Sequence, residues 1–282
     1  MGWQIKRWSW LLSLAVVCGS LGSSAQSAKL QHTHISLIAS STDSSGSQWI
    51  GLRFQLDPGW HIYWSNPGDS GEPPKVMWHL PSGVQAGELQ FPAPHRIADH
   101  GLTDYGYEGE AILLAKITVP AGATSNKPEI AADVRYLVCR EVCIPGKDRL
   151  SMNLGMAQSA DNTALIQATQ ARLPGSLRTG IHARAAVDAS AIVVAISGQN
   201  SKMGQITDFI PSDPQVIDNS VKPDIAKSGA ITYIRLKQSE QLDHPPSELH
   251  GLLLTQDRAY NLSVPVAPAR KSSQKSSAPK HG

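Results

Sequence analysis

The chain of 282 residues contains only three cysteines. Cys18 lies among the first twenty residues, which leaves Cys139 and Cys143 for the body of the protein. Neither a disulfide-dense scaffold nor a four-cysteine metal cluster can be built from them. Phenylalanine is equally scarce, at three residues, so a core must draw on Ile, Leu, Val, Trp and Tyr. No stretch approaches the roughly 20 consecutive apolar residues that a membrane-spanning helix needs. Excess positive charge is also missing from the body. The formal net charge of +2 includes Lys6, Arg7, Arg270, Lys271, Lys275 and Lys280 at the two ends, and without these six cations it falls to about −4. No basic face for nucleic acid is implied.

What is present begins with Lys6-Arg7, an apolar run from Trp8 to Val17, and small residues ending at Ser23-Ser24-Ala25. This is the layout of a secretory signal peptide, expected over residues 1–25. Cys18 raises lipid attachment as an alternative, but Val17 is not the small residue expected ahead of a lipidated cysteine, so Cys18 is expected to leave with the signal. Export of a bacterial type places Cys139 and Cys143 in the periplasm, where a disulfide persists. At the other end, residues 268–282 are Lys- and Ser-rich and read as a disordered basic tail.

Between these ends the signals are those of strands. Ile50, Leu52, Phe54 and Leu56 alternate with Gly51, Arg53 and Gln55 and stop at Asp57-Pro58-Gly59. Further strands are expected at 30–38, 60–64, 76–80, 111–119, 130–139 and 149–154, separated by Pro- and Gly-rich connections. A helix-favouring stretch from Ser159 to Leu173 stops before Pro174-Gly175. Strands resume at 181–187, 191–196, 230–236, 248–254 and 260–266. The expected fold is all-β: two tandem immunoglobulin-like sandwiches, at 26–157 and 177–267, joined by a short helical linker at 158–176.

The cysteines stand in Tyr136-Leu-Val-Cys139-Arg-Glu-Val-Cys143-Ile-Pro145-Gly146. On a continuous strand they would be about 13 Å apart, whereas a disulfide requires Cα atoms within about 7 Å. A β-hairpin with the pair near its tip satisfies both the bond and the alternating apolar residues on either side. Parity puts Cys139 in register with Asp133 and Arg135, opposite the apolar set, so it is expected to face away from the core, partly covered beside Leu137. Closing a ring of about five residues contributes on the order of 2 kcal/mol, against about 3 kcal/mol for a 15-residue loop. That is little for a large domain and favours a redox pair over a staple, without excluding the staple. Arg140 and Lys147 favour a thiolate, and Glu141 opposes it.

The segments Gly59-Trp-His-Ile-Tyr-Trp-Ser-Asn-Pro-Gly-Asp-Ser-Gly71, Phe91-Pro-Ala-Pro-His-Arg96, Tyr105-Gly-Tyr107 and Val138-Cys-Arg-Glu-Val-Cys-Ile-Pro-Gly146 resemble the periplasmic N-terminal domain of the DsbD/ScsB thiol:disulfide interchange proteins. The resemblance covers about residues 30–155, and residues 175–266 resemble, more weakly, the second β-domain of ScsB-like members. It implies an immunoglobulin-like domain with Cys139 and Cys143 as the redox pair, and Cys143 as the sulfur that forms the mixed disulfide. It also implies a cap over the disulfide, which Asp99 to Tyr107 fits by position; the alternative is an ordinary connection to the next strand. The implied partners are thioredoxin-like periplasmic proteins and a membrane electron carrier. No transmembrane block or thioredoxin-like domain is legible in these residues, so both are expected in trans, and no cofactor is required.

Other groups have ordinary readings. His32 and His34 share a strand face and fall short of a copper or zinc site. Trp60, Trp64, Trp78 and Tyr63 offer a sugar platform or core packing, and shared parity favours packing for Trp60 and Trp64. Asp69, Glu72 and Glu88 sit in turns without a partner nucleophile. The competing function is a secreted β-sandwich binding protein, possible in copper handling, that keeps the disulfide as a staple.

Overall fold

In the computed structural model, residues 32–99, 101–120, 128–155, 159–198 and 203–268 are described; the expected signal peptide, Cys18 and almost all of the basic tail lie outside them. Before the helix the strands are β1 (Thr33–Ala39), β2 (Ser47–Leu56), β3 (His61–Gly68), β4 (Lys75–His79), β5 (Gln85–Ala86), β6 (His95–Asp99), β7 (Leu102–Glu108), β8 (Glu110–Thr118), β9 (Glu129–Cys139) and β10 (Cys143–Asn153). After α1 (Ala160–Arg172) come β11 (Gly175–Ser176), β12 (His182–Asp188), β13 (Ala191–Ser197), β14 (Ile206–Pro211), β15 (Asp224–Ser228), β16 (Ile231–Lys237), β17 (Glu248–Thr255) and β18 (Ala259–Ala267). The protein is mostly β, as its alternating pattern predicts.

Three sheets result. The first has the order β1-β2-β8-β5; the second runs β10-β9-β3-β7-β6, with β4 also pairing to β9. Their inner faces meet in a core of Leu52, Phe54, Trp60, Ile62, Trp64, Leu113, Val134, Tyr136 and Val138. Phe54 of β2 meets Tyr136 of β9 edge-on at 5.5 Å, which ties the two layers together. The third sheet, β14-β17-β18-β12-β13-β16-β15 with β11 beside β18, closes on its own core. Ile192, Val194 and Ile234 from one half of it meet Phe209, Leu253 and Leu262 from the other.

The helix does more than connect. Ser159 caps its first turn by accepting from the Asn162 N–H, and the extended Leu173 ends it ahead of Pro174. Between these points Ile166 is fully buried against Ile38, Ile112 and Leu114, on the outer face of the first sheet. The stretch expected as a linker is therefore a packed layer, because the apolar outer face of β2 and β8 needs cover.

The strands before and after the helix also share a core. Ile210 and Leu252 of the third sheet belong to the same apolar cluster as Trp64 and Tyr105. Around them Arg96 reaches Asp208 through Nε at 2.8 Å and through a second nitrogen at 3.2 Å, and it donates to the Phe209 and Asn219 carbonyls. Asn66 donates to the Pro211 carbonyl at 2.9 Å. The described residues form one compact unit.

Candidate functional site

The register of β9 and β10 puts Cys139 directly opposite Cys143, at the closed end of the hairpin. The Cα atoms are 4.2 Å apart and the sulfurs are bonded. Only Arg140, Glu141 and Val142 separate the strands, and Val142 at the tip is 63% exposed. The hairpin predicted from the 13 Å argument is the one observed.

The exposure expected from parity falls on the other sulfur. Cys139 is 2% exposed, whereas Cys143 is open to solvent. Parity places Cys139 on the outer face correctly, but that face is itself covered. Position 139 lies on a strand with neighbours on both sides, β10 and β3, where it pairs with the buried His61. His61, Tyr63 and Asp104 occupy the same face, and the β3–β4 connection lies over them. Ser70 donates to Asp104 from its backbone N–H at 2.9 Å and from its hydroxyl at 2.8 Å. Gly71 rests on the Tyr63 ring so closely that a Cβ there would come within 2.1 Å of it, and its φ of +77° suits glycine. Cys143, on the edge strand, has no such cover.

Tyr63 touches the sulfur of Cys143 from beneath. Its hydroxyl lies 3.6 Å from Cys143 Sγ and acts as the donor, since a disulfide sulfur carries no proton. The ring stands edge-on to His61 at 5.1 Å, and His61 Nε2 lies 3.9 Å from Asp104. Burial pushes the Asp104 carboxyl up from its ordinary value, partly offset by the two bonds from Ser70. The environment beneath the disulfide is thus polar and buried.

The two cations expected beside the thiolate are placed elsewhere. Arg140 lies over the Trp60 ring at 5.5 Å and 3.9 Å from Glu141. Lys147 is four residues along β10 from Cys143, about 13 Å at strand spacing. The segment from Asp99 to Tyr107 forms most of the β6–β7 hairpin, with residue 100 outside the described residues. It contributes Asp104 to the covered face, while the segment on Tyr63 is Ser70-Gly71, which sequence reading passed over as a turn. The glycine between Ser70 and Glu72 was the one signal available in the sequence.

The remaining candidates have structural roles. His32 stacks on Trp60 at 3.9 Å and contacts Asp57 at 3.0 Å, while His34 is exposed on β1. No cluster of three or more metal-ligating side chains occurs among the described residues. Trp60 and Trp64 lie in the core with Trp78 packed against it, and Tyr63 faces the opposite way. Asp69 accepts from the Thr103 N–H and from Asn219, Glu72 pairs with Lys75 at 3.1 Å, and Glu88 is exposed.

No curated protein matches the chain significantly. The N-terminal periplasmic domain of ScsB from Proteus mirabilis matches in structure with a TM-score of 0.65 at 18% identity, covering 85% of this chain and 95% of that one. That coverage carries the likeness of fold past the first two sheets into the third. The reduced N-terminal domain of Neisseria meningitidis DsbD is matched with a TM-score of 0.29 at 14% identity, over 44% of this chain and 86% of that one. The sequence profile of the thiol:disulfide interchange protein DsbD N-terminal domain matches residues 30–154, which span the first two sheets and the entire cysteine hairpin. Over residues 30–154, then, the chain matches the DsbD N-terminal domain family.

Proposed function

We propose that this protein is a periplasmic thiol–disulfide exchange module with Cys139 and Cys143 as its redox pair. The observation that carries the reading is the asymmetry of the pair: an exposed Cys143 bonded to a buried Cys139 at a hairpin tip, within the segment that matches this family. A partner thiolate attacks Cys143, the Cys139–Cys143 bond breaks, and Cys139 leaves as a thiolate that takes up a proton. A second partner thiol then resolves the mixed disulfide, and the module has gained two electrons and two protons. In the reverse half-cycle the Cys143 thiolate attacks a client disulfide, and Cys139 displaces the client as its dithiol.

No cofactor enters these steps. The donors and clients are thioredoxin-like periplasmic proteins, fed in trans by a membrane electron carrier, and the activity class is a protein-disulfide reductase or interchange component. The layout that goes with this is a signal peptide over 1–25, an exchange domain over 26–157, a helical connection over 158–176, a second β-domain over 177–267 and a basic tail beyond it.

Redox titration and trapping test the reading. A potential within the glutathione range, and a mixed disulfide with thioredoxin trapped by Cys139→Ser but not by Cys143→Ser, is the expected result. A potential well below about −300 mV with no trapped complex from either variant would show a structural staple instead.

A further inference from the structure

The outer face of the cysteine hairpin carries a row of three cations that nothing in the fold requires. Lys75 of β4 pairs with Arg135 of β9, and Arg135 pairs with Lys147 of β10, so the three stand side by side across three adjacent strands. All three are exposed. Like charges directly opposite on neighbouring strands are destabilising. Lys75 is relieved by Glu72 at 3.1 Å, but Arg135 and Lys147 make no ion pair among the described residues. Asp133, in the next row, is engaged by His79 at 2.7 Å and Arg149 at 3.6 Å, and Lys147 acts on it only at longer range. The body of the chain is net acidic, so the row runs against its surroundings.

Its position relative to the sulfurs gives it meaning. On this face of β9 and β10 the rows run Cys139–Cys143, then Leu137–Pro145, then Arg135–Lys147. A groove of about 420 Å³ lies along the last two rows, lined by Pro73, Leu137, Pro145, the three cations and Glu72, whose carboxylate is held by Lys75. Two rows of two residues place the cations about 13 Å from the exchange sulfur. Exposed Val142 lies at the other side of the disulfide.

We propose that this face is the docking surface for the exchange partner, and that it selects a protein segment carrying carboxylates about four extended residues from its reactive cysteine. The inference rests on the exchange reading above. The Leu137–Pro145 row receives apolar residues beside the partner cysteine, and Arg135 with Lys147 receives the carboxylates. Arg135 has the planar fork that binds a carboxylate in two places. Attraction of this kind acts chiefly on the encounter rate and weakens with salt.

The test uses three cysteine peptides of one length, each activated as a mixed disulfide with thionitrobenzoate and carrying, four and five residues from the cysteine, two Asp, two Asn or two Lys. The reduced dithiol transfers two electrons to each probe disulfide, which splits into peptide thiol and the coloured thionitrobenzoate while Cys139–Cys143 re-forms. The rate of colour release is the readout. At low ionic strength the Asp probe is expected to react about tenfold faster than the Asn probe and the Lys probe more slowly still. In 0.5 M salt the spread should narrow.

In the doubly substituted Arg135→Gln, Lys147→Gln protein, with folding checked by its melting curve, the Asp-to-Asn ratio should fall towards one. Lys227→Gln, on remote β15, should retain it. If the wild-type protein oxidises with all three probes at one rate, the docking surface is refuted while exchange stands. Failure to react with any probe refutes the exchange reading itself. Equal probe rates together with sedimentation on phosphatidylglycerol vesicles, lost in the double variant, would assign the row to a membrane and overturn the proposal.

Discussion

Tyr63 is the residue whose chemistry is most exposed to test. Its hydroxyl at 3.6 Å is placed to donate to the Cys143 thiolate once the bond is reduced, and a charge-assisted donor lowers the pKa of the thiol that it serves. Tyr63→Phe is expected to move the alkylation profile of Cys143 in the reduced protein to higher pH. The pH dependence of its alkylation in reduced protein measures this; an unmoved profile would leave Tyr63 a packing residue only. A second residue carries a clear pH signature. Asp43, in the β1–β2 turn, accepts from the Ser45 hydroxyl and from the Ser47 and Ser45 N–H groups, which lowers its carboxyl to about 2. A depressed carboxyl contributes stability above its unfolded value of 3.8 and loses it as pH falls towards about 2. Asp43→Ala should therefore destabilise the protein at pH 5 and differ little from wild type near pH 2, as read by urea midpoints. Neither role was legible in the sequence. Tyr63 stood among aromatic residues whose alternate members enter the core, and only the pairing of His61 with Cys139 and the overlying Gly71 show that Tyr63 lies under cover beside the disulfide.

At the scale of elements, the β9–β10 hairpin decides what the disulfide is worth. The ladder runs from Cys139–Cys143 through Glu129–Asn153, so the ring closes only the last step of a long pairing that is already fixed. Reduction should cost about 2 kcal/mol, or about 4–8 °C in melting temperature for a domain of this size. Calorimetry with and without reductant checks this, and a reduced protein that unfolds at room temperature would contradict it. The hairpin itself was readable, because two alternating apolar sets flank a pair of cysteines that no straight strand can join. The burial of Cys139 was not, since the strand that flanks it on the side away from β10 is β3, which brings the buried His61 from about eighty residues earlier. β14 escaped for a related reason: Ile206–Pro211 is short, ends in proline and has a bulge against β17, so its alternation is broken. The helix was legible from Ser159 and Pro174, but its packing on the first sheet depends on an apolar outer face that strand alternation alone does not disclose.

For the whole molecule, the seam between the second and third sheets is polar, buried and specific. The side chains of Arg96 and Asp208 are 12% and 20% exposed, so the pair is largely withdrawn from water. Removing the carboxylate leaves a guanidinium with its charge poorly compensated. Asp208→Ala is expected to cost about 3 kcal/mol and to separate loss of the third sheet from unfolding of the first two, seen as two steps in urea denaturation followed by near- and far-ultraviolet dichroism. A single transition at the wild-type midpoint would show that the apolar contacts of Ile210 and Leu252 suffice. That the chain is mostly β was readable from composition and periodicity; the seam was not, because Arg96, Asn66 and Asn219 look like ordinary loop and strand-end residues until the fold unites them.

One of those residues has a wider reach. Asn219 donates to Asp69 at 2.7 Å, two residues before the glycine that lies on Tyr63. The β14–β15 connection is thus a surveyor's benchmark for the sulfur: the height of the cover over Tyr63 is measured from a fixed point outside the two sheets that hold the cysteine hairpin.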